Sequence, residues 1–563
     1  MTHVAWRRLR DAQQMVLPTF NAPGPGQWAL DRSHVPGGST PIVRELMSRS
    51  MPPGMRRVFA ELGAPLDTLD VRFVNGFMYT RLRPLIAPDK PAKRLPPLPL
   101  LKLVSRCHPE FRRRARTAAV VLAERPWRTV VHEWENGGRA VVEQSNLLLQ
   151  DVDLSMLTDA EVADHVRRVF DHCVKYWEHH FWMHGYDLGP IGRFLYECRG
   201  WGLEPSEVIP LLEGASPSTS EPARRLLSIR TQVEASGTVP TTIDELRAIS
   251  PQVSDDLDEY LRYRGSLLFS RYDVDGVTLN EVPDLVLASV LNAAPRDVGT
   301  EIARRIAAAR ERVRPEARAT FDEVITEARA AMNLRDDNGP TTAEWPLGLL
   351  RYALMELGRR LVAAGRTADA VDGLELDIDE IHPAMFAQDT RFRDGELAER
   401  RANRWAQRQA DAPNLLGPAE PAPPTHVLPG VLPTLVGMVQ IVVEQMGMDG
   451  KVNVNGLSGA GVGTETYRGR ARRANTPEEA LDRLEPGDVL VVPCTTPAYN
   501  LVLSLAGAVV TADGGPLSHA AVIARELGIP AVVGARTALT DIPDGALVEV
   551  DPVAGVVREL SAT

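Results

Sequence analysis

Between Asp411 and Pro433 the chain reads Asp-Ala-Pro-Asn-Leu-Leu-Gly-Pro-Ala-Glu-Pro-Ala-Pro-Pro-Thr-His and then meets Pro429 and Pro433. Proline has no backbone N–H and a fixed φ, so neither a long helix nor a central strand can run through such a stretch. The two sides must therefore fold separately. Proline-rich chain extends by about 3.1 Å per residue, so the stretch predicts a semi-rigid tether tens of ångströms long. This divides the chain into residues 1–410, a linker at 411–433, and residues 434–563.

The texture on the two sides differs. Upstream, Leu350, Ala353, Leu354, Leu357 and Leu361 recur at helical spacing. Val162, Val166, Phe170 and Val174 mark a second amphipathic helix, with Thr158 or Asp159 as its cap. Ile302, Ile306, Ala309 and Val313 give more helix, interrupted at Pro315. The proline-rich segment Lys90–Leu101 predicts a surface crossing. Downstream, Asp488–Pro493, Ala508–Thr511, Ala531–Gly534 and Ala546–Asp551 are short β-branched runs bounded by Gly, Pro or Asp, the pattern of strands. A helix from His519 to Leu527 fits between the middle two, closed by Gly528 and Pro530. The expected fold is multidomain, a mostly α-helical domain followed by a small α/β domain.

Composition excludes several functional classes. A net charge of −11 on 563 residues argues against a nucleic-acid binder, whose partner is polyanionic. No apolar run reaches the roughly 20 residues that span a bilayer, and the N-terminus lacks a signal-peptide core, so the expectation is a cytoplasmic protein with no membrane partner. Cys107, Cys173, Cys198 and Cys494 are scattered without CxxC spacing, so neither disulfides nor a metal site are expected.

The chemistry points to His519. Gly514 and Gly515 permit positive φ, and Ser518 suits the N-cap of the helix that follows. N–H groups and the helix dipole at such a terminus favour an anion. Neutral imidazole keeps a lone pair for attack near pH 7, so a histidine there can carry a phosphoryl group covalently. The alternative is a capped helix whose histidine is incidental.

The run Gly514-Gly-Pro-Leu-Ser-His519, followed by Ala-Ala-Val-Ile-Ala-Arg-Glu-Leu-Gly-Ile-Pro-Ala-Val-Val-Gly534, resembles the swivelling phosphohistidine domain of the phosphoenolpyruvate-utilising enzymes. The likeness covers most of residues 450–560. Leu457–Ala471 resembles the entry segment of that domain, with Gly463-Thr464-Glu465 where Ser-Pro-Gly is usual. The resemblance implies that His519 is phosphorylated, with Gly514, Gly515, Ser518 and Arg525 shaping its loop. The first four hundred residues resemble, more weakly, the acceptor module of the rifampin phosphotransferase and phenylphosphate synthase branches. Trp28–Pro36, Val74–Tyr79, Leu279–Pro283, Ala328–Asp337, Leu354–Leu361 and Asp372–Leu376 carry that likeness, in the same order along the chain.

The family joins this domain to an ATP-binding module, and no Gly-x-x-x-x-Gly-Lys loop or ATP-grasp-like segment is recognisable here. The resemblance therefore implies that ATP and Mg²⁺ are bound by a separate ATP-grasp-type subunit, which releases AMP and phosphate. His519 would carry the phosphoryl group to a hydroxyl of a small organic acceptor, a phenol or alcohol. Two alternatives stay open: a rifamycin-type acceptor, and a binding or regulatory relative without catalysis.

Further candidates lie upstream. His165, His172 and His179 recur every seven residues, and His180 and His184 are four apart, among Tyr176, Trp177, Phe181 and Trp182. They read as an aromatic wall or core, and if they line the pocket, His179, His180 or His184 could take the acceptor's proton. Lys90, Lys93, Arg94, Lys102, Arg106, Arg112, Arg113, Arg114 and Arg116 form a basic run, either solvated or a docking face. Arg335 and Arg351, within or beside the segments of acceptor-module likeness, are candidates to steady the transferring phosphoryl group.

Overall fold

The helical body is held by apolar faces repeated at three- and four-residue spacing. A computed structural model describes residues 19–31, 35, 37–90, 94–268, 271–293, 299–386, 395–408, 410–447, 457–495 and 499–560. The readings that touch residues 1–8, Arg32 to His34, Pro36 and Lys93 lie outside the described residues. After β1 (Trp28–Leu30) come α1 (Pro41–Leu62) and the strands β2 (Leu66–Val74) and β3 (Phe77–Pro84). Asn75 and Gly76, at φ +50° and +75°, close that hairpin with Val74 opposite Phe77. Two consecutive positive φ values are what a two-residue hairpin turn matched to strand twist requires.

The next helices are α2 (Leu98–Cys107) and α3 (Pro109–Glu124), followed by the 42-residue α4 (Asp159–Gly200). Helix α2 begins inside the stretch read as a surface crossing, because its prolines fall at or before the first turn, where no N–H is needed. Thr158 caps α4 as expected, in a reciprocal arrangement with Glu161. At 1.5 Å per residue α4 is roughly 60 Å long and forms the axis of the body. Its Val162, Val166, Phe170, Cys173 and Trp177 share one core with Leu350, Leu354 and Leu357. The latter lie on α6 (Trp345–Ala363), which follows α5 (Arg318–Asn338) through a π-helical turn at Gly339–Glu344.

The proline-rich stretch is not a free tether. β4 (Leu415–Leu416) pairs with β1, completing a four-stranded sheet of order β2-β3-β1-β4. Glu420 forms an ion pair with buried Arg81, and Ser105 Oγ donates to Val427 O. Next comes α7 (Leu432–Gln445), which the sequence places beyond the boundary but which buries Leu432, Leu435, Met438, Ile441 and Val442 against the helical body. A Cβ at Gly192 of α4 would come within 2.4 Å of Met438 O. Prolines there set the first turn of a helix instead of opening the chain, so the change of domain falls after Gln445 and not at residue 433.

The last part is a seven-stranded sheet of order β11-β10-β6-β7-β8-β9-β5. Its strands are β5 (Ala460–Val462), β6 (Tyr467–Arg473), β7 (Val489–Val492) and β8 (Ala508–Thr511). There follow α8 (His519–Leu527), β9 (Ala531–Val533), β10 (Leu547–Asp551) and β11 (Val556–Glu559). β6, β7, β8 and β9 are mutually parallel, and β7 to β9 are buried throughout, the mark of a sheet covered on both faces. Of these strands the sequence reading omitted β5, β6 and β11. β6 alternates Arg and Gly with few apolar residues, so it lacks the β-branched signature. Among the described residues no helix is long and apolar enough to cross a membrane.

Phe170 is fully buried in the main core. Phe170→Ala should destabilise the protein by about 3–5 kcal/mol in denaturant titration, through lost burial and a residual cavity.

Candidate functional site

His519 sits where chain geometry concentrates unpaired polar groups. It follows the carboxyl end of parallel strand β8, the edge at which open α/β sheets bind ligands. Thr511 Oγ1 donates to Asp513 O, the chain reverses through Gly514 at φ +116°, and Ser518 N donates to Gly515 O. Gly528, at φ +72°, closes α8 as the sequence implies. Ser518 occupies the N-cap position, but its hydroxyl makes no cap bond and is buried without a partner. Arg525, one turn and a half further on, donates to Pro516 O and so ties α8 to its own entry loop. From the loop after β7, Thr495 Oγ1 lies 2.9 Å from His519 Nδ1. The other ring nitrogen, Nε2, is buried with no hydrogen-bond partner.

The loop is docked on the helical body. Leu517 N donates to Gln445 O at 2.8 Å, and Arg335 Nη2 donates to Leu517 O at 2.9 Å. Leu517, 1 % exposed, and Val522 enter one apolar cluster with Ile209, Leu212, Met332 and Ile441. Gly214 N donates to Glu526 Oε1 at 3.0 Å, and Arg329 holds the preceding Glu213 carbonyl. Gly515 lies so close to α7 that a Cβ would stand 2.4 Å from Gln445 O. Of the two loop glycines, Gly514 is needed for its φ and Gly515 for this approach.

Burial and the Arg335 guanidinium hold the His519 imidazole down to about 3, so it is neutral throughout the physiological range. The same guanidinium that disfavours imidazolium would favour a phosphoryl dianion at Nε2. Beside it on α5, burial pushes the Asp336 carboxyl up to about 7, against the pull of Arg335 and a hydrogen bond from Ser216. Arg335 Nη1, Asp336 Oδ2, Asp187 Oδ1, Ser518 Oγ and His519 Nε2 are all buried without partners. These five atoms, on α4, α5 and the histidine loop with the start of α8, are the polar groups there that a ligand or water could still engage.

The other candidates separate. Arg351 is not brought to His519: its guanidinium is engaged by Glu281 and by Val274 O within the helical body. His179 is stacked on Trp182 and lies near Trp134, a place in the core that lowers it to about 4. His184 is bound on both sides, Nδ1 at 3.0 Å from Asp187 Oδ2 and Nε2 at 3.1 Å from His180 Nε2. His180 Nδ1 lies 3.3 Å from Thr342 Oγ1. Of the basic run, Arg114 is buried and donates to Phe59 O, while Arg112, Arg113 and Arg116 are exposed. Sequence reasoning missed Thr495, Asp187 and Asp336. Asp336 was within the quoted Arg335-Asp-Asp337 run, but helical carboxylates beside arginine read as surface until the packing is known.

Depression of the His519 pKa below 6.5 means that its docked, neutral form loses stability as pH falls from 6.5 towards 3. Nitrogen-15 NMR of the imidazole should show no protonation between pH 8 and 5, and Arg335→Met should move its titration upward.

A family description, PEP-utilising enzyme, mobile domain, matches residues 484–555, the part of the sheet that carries the histidine loop. The chain is 28% identical to chondramide synthase of Chondromyces crocatus over 99% of its own length, which is 14% of that protein. It is 33% identical to rifampicin phosphotransferase of Streptomyces sviceus over 38% of its length, or 22% of the relative. A phosphoenolpyruvate synthase of Aeropyrum pernix is 45% identical over 20% of this chain and 14% of the relative. The chain thus spans less than a quarter of the length of each of these relatives. Residues 484–555, the part that presents His519, thus match the mobile domain of the phosphoenolpyruvate-utilising enzymes.

Proposed function

We propose that this protein is a phosphotransferase component in which His519 carries a phosphoryl group from a nucleotide site to a hydroxyl of a small organic acceptor held by the helical body. The observation that carries this reading is the unpartnered Nε2 of His519, buried at a docked face beside Arg335. With the Nδ1 proton directed to Thr495 Oγ1, the lone pair of Nε2 attacks the donor phosphorus, and the phosphorus–oxygen bond to the leaving group breaks. In the docked position the acceptor oxygen attacks the same phosphorus, and the phosphorus–nitrogen pair returns to a neutral imidazole. Arg335 Nη1 and Ser518 Oγ, both free of other bonds, would receive the charge on the phosphoryl oxygens.

The donor in this reading is ATP with Mg²⁺, bound by a separate ATP-grasp-type subunit. Among the described residues no cluster of three or more His, Cys, Asp or Glu side chains is placed to hold a metal ion. The two-station mechanism requires α8 and its sheet to leave the helical body and return, the swivelling that the family likeness suggests. The acceptor is taken to be a phenol or alcohol. A rifamycin-type acceptor is the second reading, favoured by the match to the Streptomyces rifampicin phosphotransferase.

The test combines the chain with an ATP-grasp-type partner and ATP labelled at each phosphate in turn. Wild type should take up label that a His519→Ala protein does not, and equal labelling of the two would refute the proposal. Arg335→Ala should accept label but deliver it about 100-fold more slowly, the usual cost of losing one transition-state donor.

A further inference from the structure

A hydroxyl that attacks phosphorus must shed a proton, and the histidines singled out in the sequence are poorly placed to receive it. His184 spends both ring nitrogens, on Asp187 and on His180, and His179 is stacked on Trp182 near Trp134. What the helical body offers at the docked face is carboxylate. Asp336 follows Arg335 on α5, and the Arg335 guanidinium holds the carbonyl of Leu517, two residues before His519. Asp336 Oδ2 is buried with no partner, whereas a hydroxyl donated by Ser216 occupies the group from the loop before α5's neighbouring helix. Orphaned carboxylate oxygens are costly to bury, and this one lies among orphans on both sides of the domain contact.

We propose that Asp336 is the catalytic base of the delivery step, a role that rests on the phosphotransfer reading above. The acceptor's O–H proton passes to Asp336 Oδ2 as the oxygen–phosphorus bond forms. The phosphorus–Nε2 bond breaks with its electron pair returning to the imidazole, which keeps its Nδ1 proton. The product is the phosphate monoester, neutral His519 and protonated Asp336, which releases its proton to solvent once the domains part. Asp187 Oδ1, another orphaned carboxylate oxygen, sits on α4, and its carboxylate raises the proton affinity of Asp336 by its charge.

The groups that face Asp336 set its range. Arg335 on the same helix and the Ser216 hydroxyl lower it, while burial, Glu526 on α8 and Asp187 on α4 raise it, leaving it near 7. His519 itself stays neutral over this interval and adds no competing titration. Delivery by this route therefore quickens as pH rises through about 7.

The experiment needs no nucleotide subunit. The full chain is phosphorylated chemically with phosphoramidate, His519→Ala defines the background, and loss of phosphohistidine is followed by phosphorus-31 NMR from pH 5.5 to 8.5. Water and added phenol serve as probe acceptors. Wild type should show transfer that rises with pH. Asp336→Asn should take the same label at His519, lose the rise, and transfer about 100-fold more slowly at pH 8, within the usual range for general-base catalysis. Asp336→Glu should restore part of the pH dependence, which a purely structural carboxylate would not. Identical profiles for wild type and Asp336→Asn, with either probe, would overturn the assignment of the base. Failure of wild type to hold label at His519 would instead overturn the carrier reading and this one with it.

Discussion

The contact on which the rest depends is the hydrogen bond from Arg335 to Leu517 O, made where the histidine loop meets the helical body. It fixes Nη2 of the guanidinium on the backbone of the loop and leaves Nη1 unpaired, with its charge acting on His519. A salt bridge would have neutralised the arginine, whereas a carbonyl leaves its charge available to an anion. Burial, with this charge adding to it, keeps the imidazole deprotonated, which is the state that can act as a nucleophile. One interaction thus positions the loop, adds to the burial that keeps its histidine neutral and, in the proposed transfer, would offer a charge to phosphoryl oxygens.

Docking is confined to a few features. Leu517 and Val522 bury into an apolar cluster, and backbone groups of Gln445 and Gly214 bond the loop and Glu526. Close backbone approach at Gly447 and Gly515 lets α7 and the loop meet without side chains between them. Such a contact is specific because glycine is required at it, yet it buries few side chains. That balance would suit a face that forms and parts, as the proposed transfer requires. Helix α7 stays with the helical body through Met438 and Gly192, so parting would leave it in place.

Much of this was legible because the α/β domain writes its structure locally. Val489–Val492 and Ala508–Thr511 are continuous apolar runs, Gly528 and Pro530 end a helix, and Gly514 supplies a positive φ. The amphipathic stripe of α4 and its Thr158 cap were equally local. What escaped were pairings between distant segments. β1 through β4 form a sheet inside a body that reads as helical, and β4 comes from a stretch whose prolines suggest open chain. The site divided in the same way. His519 and Arg335 could be named from their surroundings in sequence, but Arg351 carries the same local signal and is spent on Glu281. Asp336 and Asp187 become candidates only because burial leaves an oxygen of each without a partner.

The central claim is that the docked position seen here is the delivery station of a moving histidine. It can be tested by linking Glu213→Cys on the helical body to Glu526→Cys on α8 with a bifunctional thiol reagent, in a protein carrying Cys107→Ser and Cys494→Ser. Rates of loading from nucleotide and of phosphoryl loss from pre-phosphorylated His519 are then compared before and after linking. The account predicts that linking blocks loading while phosphoryl loss in the docked state continues. Loading that is as fast in the linked protein as in the free one would contradict it.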